Sequence, residues 1–262
     1  MKIVRFTYQD EIAYGELKGR QIHRIKGNIF DNYQISSEII PLEDVEILNP
    51  VDPPNVIAIG VNYRKHAEES GHDLPERPVI FIKATTAVIG PEEDIVLPQP
   101  APDEVDYEAE LAIVIGKKAK NISREEVKDY ILGYTCANDV SARDCQRRID
   151  KQWARGKSFD TFCPLGPCIE TELDADNCGI KSRLNGKVMQ DSNTSDLIFD
   201  TAELVSYISS NMTLLPGTVI LTGTPEGVGF ARKPAVFLRE GDTIEIEIEG
   251  IGVLKNIVIA EQ

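Results

Sequence analysis

Asp106-Tyr107-Glu108-Ala109-Glu110-Leu111-Ala112-Ile113-Val114-Ile115 reads as a strand whose entrance is acidic and whose continuation is apolar. Alternate side chains of a strand point the same way, roughly 6 to 7 Å apart, so Glu108 and Glu110 share a face that continues as Ala112 and Val114 into the core. Ionised carboxylates there cost several kcal/mol each when left alone (roughly, from the desolvation of a buried ion). Water must reach the strand's beginning, or cations must pair with the two acids, or a metal ion must neutralise them.

The chain supplies its own contrast. Thr243-Ile244-Glu245-Ile246-Glu247-Ile248-Glu249 alternates strictly, isoleucines on one face and carboxylates on the other, the pattern of a half-exposed antiparallel strand. Its glutamates are expected in solvent. A third acid of unusual setting is Asp139, in Ala137-Asn138-Asp139-Val140-Ser141-Ala142-Arg143-Asp144, just past the short strand Tyr134-Thr135-Cys136-Ala137. Three carboxylates with open positions suit a hard cation such as Mg²⁺ or Mn²⁺.

Composition narrows the classes. At 262 residues and 42% hydrophobic content the chain can bury a large core. With 28 basic against 43 acidic residues and a net charge of −15, neither nucleic acid nor an anionic membrane is expected as partner. Met1-Lys2-Ile3-Val4-Arg5-Phe6 lacks the apolar core of a signal peptide, and no run approaches the length of a membrane span, so a cytoplasmic protein is expected. The five cysteines form no Cys-x-x-Cys pair and read as reduced thiols, and three histidines are too few for a histidine-rich metal site.

Residues 1–50 alternate short apolar pieces with turns, a small β-rich N-terminal domain that ends at Asn49-Pro50-Val51-Asp52-Pro53-Pro54; residues 51–262 form the larger domain. After the strand Val56 to Val61, Asn62 to Gly71 has helical composition, with His66 and Glu69 on one face. Glu69 there can orient the imidazole, or the two can form a surface ion pair. A capping box at Ser123-Arg124-Glu125-Glu126 predicts a helix to about Leu132, stopped by Gly133. A helical turn from Ser141 to Ile149 places Arg143 and Gln146 on one side and Arg147 and Arg148 largely on others. Arg143 can clamp a carboxylate or bridge to a nearby acid. Lys157 to Pro167 reads as a loop, Arg183 to Met189 as a hairpin with an Asn-Gly turn, and Asp200 as the cap of a helix to about Ser210. Val219 to Thr222 is a strand that runs into Gly223-Thr224-Pro225-Glu226-Gly227, a loop suited to close approach of a ligand.

Together, Asn62-Tyr63-x-x-His66, Glu108-x-Glu110-Leu111, Asn138-Asp139-x-Ser141-Ala142-Arg143-Asp144, Lys157-Ser158-Phe159-Asp160 and Thr222-Gly223-Thr224-Pro225 resemble, in that order, the fumarylacetoacetate hydrolase superfamily. The resemblance spans roughly residues 52 to 260. It implies an α+β, mainly β fold, a mixed β-sandwich roll carrying the small N-terminal lobe, and a homodimer with one Mg²⁺ or Mn²⁺ per subunit. It makes Glu108, Glu110 and Asp139 the metal ligands and His66 with Glu69 an acid/base dyad on a lid. It places Lys157, with a catalytic role, and Arg143, Gln146 and Thr224 around the substrate. Fumarylacetoacetase itself has a much longer amino-terminal domain, which turns the expectation toward the short bacterial-type members.

The activity this implies is hydrolysis of a carbon–carbon bond in a 2,4-dioxo acid through a metal-stabilised enolate. His66, oriented by Glu69, would take a proton from water while Lys157 holds the developing oxyanion. The alternative uses the same enolate without hydrolysis, to decarboxylate or isomerise an oxo-dioate. A metal-stabilised binding protein without turnover is the third reading, and a purely structural role would not need His66, Lys157 and Arg143 beside the acids.

Overall fold

The structure is a computed structural model that describes residues 1–261. Its frame is one long sheet with, side by side, Tyr33–Pro41, Gln21–Gly27, Glu11–Lys18, Lys2–Tyr8, Cys163–Glu170, Ile131–Asn138, Ala109–Ile115, Val219–Leu221, Val56–Gly60 and Val79–Lys83. A second sheet of Lys187–Asn193, Gly179–Leu184, Thr243–Ile248, Gly252–Ala260 and Ile95–Leu97 packs over its middle. The mainly β, α+β class is as expected. The N-terminal strands continue the main sheet, since Lys2 and Ile3 pair with Glu170 and Ile169.

Ala109–Ile115 is buried along its whole length, which its unbroken apolar run requires. Ala112 and Val114, on the Glu110 face, join the main core, while Ile113 and Ile115 pack in a second cluster with Leu204, Val205 and Ile208 of the helix Thr201–Asn211. Its pairing with Ile131–Asn138 sets Ala109 opposite Asn138 and Glu110 opposite Ala137. Asp139, one residue further on, then donates its N–H to Glu108 O at 3.0 Å. Sheet register alone thus brings the three acids to one place.

The control strand behaves as its alternation demands: Ile244, Ile246 and Ile248 are each 1% exposed, while Glu245 and Glu247 stay half-buried at the solvent side. Asn185 and Gly186 take positive φ of 51° and 78° at the tip of their hairpin, and Asp200 caps its helix by accepting from Glu203 N at 2.9 Å.

Three local expectations are corrected. Between Ser123 and Leu132 there is only a 3₁₀ turn, Val127–Asp129, and Gly133 lies inside the strand Ile131–Asn138. Half of the capping box forms, Ser123 N donating to Glu126 Oε2 at 2.8 Å, but sheet pairing claims the residues that would propagate a helix. Ser141–Ala142 is a strand paired with Val105–Asp106, and the turn after it is a π-helix, Cys145–Ile149. The supposed loop from Lys157 contains the strand Cys163–Glu170, whose prolines sit beside a register shift against Tyr134 and Cys136, the place where a sheet accepts them.

Gly133 is required by close approach: a Cβ there would stand 2.5 Å from Glu170 O, a backbone atom of the paired strand. Gly133→Ala is therefore expected to destabilise the fold by about 1–3 kcal/mol, the usual cost of overpacking. Urea unfolding checks this, and an unchanged midpoint would contradict the assigned register.

Candidate active site

The cavity at the end of the central strands is lined by acids, bases and a few apolar side chains, among them Ile59, Phe81 and Trp153. Every residue singled out from the sequence is in or beside it. His66, Glu108, Glu110, Asp139, Arg143, Gln146, Lys157 and Thr224 line it, and Glu69 stands behind His66.

Glu108, Glu110 and Asp139 each offer an oxygen within 4.8 Å of the others. All three are buried. Burial alone raises the carboxyl of Glu108, but Lys157 and Arg143 outweigh it and hold its pKa near about 2. Glu110 goes the other way: burial, reinforced by the charges of Asp139 and Glu108, pushes it well above the usual carboxylate range. Gly223 N donates to Glu110 Oε2 at 2.6 Å without reversing that shift. An all-oxygen donor set of this kind, crowded with buried carboxylates, fits a hard divalent cation.

Cations already present balance the other carboxylates. Lys157 Nζ donates to Glu108 Oε2 at 2.7 Å and to Asp139 Oδ2 at 2.6 Å. Burial opposes its charge, yet Asp139 and Glu108 raise its pKa, so it stays an ammonium with a third N–H to offer the cavity. Arg143 donates Nε to Asp106 Oδ2 at 2.8 Å and Nη1 to Gln146 Oε1 at 2.9 Å. Its Nη2 lies 2.8 Å from Glu108 Oε1 but without an aligned hydrogen bond. Gln146 therefore positions Arg143.

His66 and Glu69 are the first and second ends of a short relay on the helix Arg64–Ser70. Glu69 Oε2 lies 3.3 Å from His66 Nδ1, which leaves Nε2 to carry a proton to or from a substrate. The same carboxylate accepts from Gly227 N at 3.0 and 3.1 Å, latching the helix to the glycine-rich loop. Thr224 lines the cavity, but its hydroxyl hydrogen is committed to Ala109 O at 2.9 Å, so what it offers is a lone pair.

Four residues escaped the sequence reading. Lys83, 1% exposed, closes the apolar strand Val79–Lys83 and donates to Asp139 Oδ1 at 2.5 Å. Asp106 is fully buried and, besides Arg143, accepts from Gly229 N at 2.8 Å and Phe230 N at 3.0 Å. The alternation that picked out Glu108 and Glu110 also includes Asp106, so that signal was available. Gln190 fastens the second sheet to the site by accepting from Ala109 N at 2.9 Å and donating to Thr224 Oγ1 at 2.8 Å and Pro225 O at 2.9 Å. Phe230, in the 3₁₀ turn Gly229–Ala231, lies edge-on to His66 with centroids 6.5 Å apart. Arg147, expected on another side, also reaches the cavity. Asp150 N bonds to Cys145 O at 3.0 Å, the wider π-helical spacing, which turns the side chains away from α-helical positions.

Removing Asp106 would strand a buried guanidinium and release the Phe230 turn. Asp106→Ala is expected to lose about 3–5 kcal/mol, the cost of breaking a buried ion pair by removing one partner. Denaturant unfolding measures it, and a loss below 1 kcal/mol (about the worth of an exposed pair) would contradict the buried pairing.

Residues 55–259 match the fumarylacetoacetate hydrolase C-terminal family, and residues 1–50 match the Rv2993c-like N-terminal family. A mitochondrial oxaloacetate tautomerase of Rattus norvegicus is 48% identical over 84% of this chain and 72% of its own length. The crystal structure of 2-hydroxyhepta-2,4-diene-1,7-dioate isomerase from Mycobacterium marinum superposes with a TM-score of 0.90 at 41% identity, covering 100% of this chain and 99% of that one. A 5-carboxymethyl-2-hydroxymuconate delta-isomerase from Mycobacterium smegmatis gives 0.90 at 45% identity over the full length of both. With its acidic cluster and its fold both in place, the chain belongs to the fumarylacetoacetate hydrolase family of enzymes.

Proposed function

We propose that this protein is a divalent-metal-dependent tautomerase or isomerase of a 2-oxo dicarboxylic acid, acting through its enolate. The observation that carries the reading is a site with a base and a hydrogen-bonding ammonium around an acidic metal cluster, in a chain whose tautomerase and isomerase relatives cover most of its length. These relatives favour the isomerisation alternative over the hydrolysis that the family resemblance first suggested.

A Mg²⁺ or Mn²⁺ ion held by Glu108, Glu110 and Asp139 would supply Lewis acidity toward the 2-oxo oxygen and its neighbouring carboxylate. The chain's own residues do the rest. His66 takes the proton from the carbon next to the oxo group and returns it, with Glu69 fixing the ring through Nδ1. Lys157 directs its remaining N–H at the oxygen on which negative charge develops, and its two carboxylate contacts hold it in place beforehand. Apolar Ile59, Phe81 and Trp153 limit water on the remaining wall. The homodimer is part of the proposal: Val79–Lys83 is the outermost strand of the long sheet, an edge that a second copy would cover.

The test follows enol-oxaloacetate spectroscopically with metal restored to chelator-treated protein, and counts products. Accelerated loss of the enol with no carbon dioxide and no second acid is expected, and His66→Ala should slow it by about 10²–10⁴-fold, the range for loss of a general acid–base group. Release of carbon dioxide, or cleavage of acetylpyruvate to two acids at a higher rate, would instead assign decarboxylation or hydrolysis.

A further inference from the structure

Arg147 is the one arginine on its π-helical turn that makes no ion pair among the described residues. Arg148 is bridged to Glu104 at 2.8 Å and Arg155, nearby, to Asp150 at 2.7 Å. Arg147 has no carboxylate within ion-pairing distance among the described residues, in a chain of net charge −15. Its side chain faces the catalytic cavity. Its guanidinium carbon stands 4.3 Å from the centroid of Phe230, and that of Arg143 stands 4.4 Å from the same ring, so the two lie within twice that distance of each other. Phe230 is in turn fixed by Asp106 through its backbone N–H. Arg147 is thus held beside the site by a cation–π contact rather than by an acid, and its planar fork is left open.

Charge accounting gives that fork a role. Lys83, Lys157 and Arg143 match Asp106, Glu108 and Asp139, and Glu110 is the unmatched fourth acid. A divalent ion would leave the loaded cluster with a single positive charge, enough for one substrate carboxylate. Arg143 is largely committed already, with Nε donated to Asp106, Nη1 to Gln146 and Nη2 held 2.8 Å from Glu108, whereas Arg147 has its whole fork free of acids. The carboxylate carbons of a four-carbon dicarboxylate are roughly 4 Å apart, three C–C bonds, so a second carboxylate stays close to the first and needs a cation at the same cavity.

We propose that Arg147, held on Phe230, binds the distal carboxylate and makes the site selective for 2-oxo dicarboxylates over 2-oxo monocarboxylates. This rests on the 2-oxo acid reading above. It is tested with the Mg²⁺-loaded enzyme and two ligands on the same four-carbon skeleton: oxaloacetate, and 2-oxobutyrate, which carries a methyl group in place of the distal carboxylate. Dissociation constants come from calorimetry for 2-oxobutyrate and from KM and competition for oxaloacetate. Arg147→Gln is expected to weaken oxaloacetate by about ten- to a hundredfold, the worth of one hydrogen-bonded charge, while 2-oxobutyrate changes less than twofold. Arg148→Gln, which removes a paired arginine next door, should leave both ligands as in the wild type. If Arg147→Gln weakens both ligands equally, or neither, the assignment is overturned while the 2-oxo acid reading stands. If the wild type binds neither ligand, that reading falls, and the assignment with it.

Discussion

Four carboxylates buried within one end of a sheet are the constraint on which the rest of this structure depends. Asp106, Glu108, Glu110 and Asp139 are each at most 6% exposed, and no arrangement of backbone could hold them together as bare anions. Lys83, Lys157 and Arg143 answer three of them, and at Glu110 burial and the charges of Asp139 and Glu108 push the carboxyl well above its usual range. Without an ion the cluster therefore holds one more acid than its three cations answer, which is the condition a divalent cation relieves. Pairing also fixes geometry: each ammonium or guanidinium that neutralises an acid is thereby held where a substrate would meet it.

Rigid and adjustable parts are divided accordingly. The acids sit on or next to central strands whose register is set by buried apolar faces on both sides. His66 and Glu69 come from a seven-residue helix tied down by Glu69 to Gly227 N and by Arg64 to Leu197 O, contacts that can open without disturbing a sheet. Gln190 and Asn62 work between these layers. Asn62 accepts from Phe199 N and donates to Phe199 O and Thr222 O, so the loop before the helix and the strand end at Thr222 move as one body.

Much of this was legible in the residues. Alternation identified Glu108 and Glu110 as acids on an inward face, and position past a strand end identified Asp139; both depend on local periodicity that the fold preserved. Lys83 was hidden because its value depends on sheet order: nothing near it in sequence shows that residue 139 will lie against it. Phe230 lies in a short turn with no periodic signal, and Gln190 looks like an ordinary strand glutamine until Thr224 and Pro225 are brought against it. The helix expected from Ser123 failed for the same reason. Half of its capping box formed, but long-range pairing of Ile131–Asn138 on both edges outweighed a local preference.

The most direct measurement is a calorimetric titration of Mn²⁺ into chelator-treated protein and into its Glu110→Gln variant. The account predicts one ion per chain in the wild type and about tenfold or greater weakening in the variant, which loses a carboxylate ligand. Equal affinity in the two proteins, or no binding by the wild type, would contradict a cation site built from these acids.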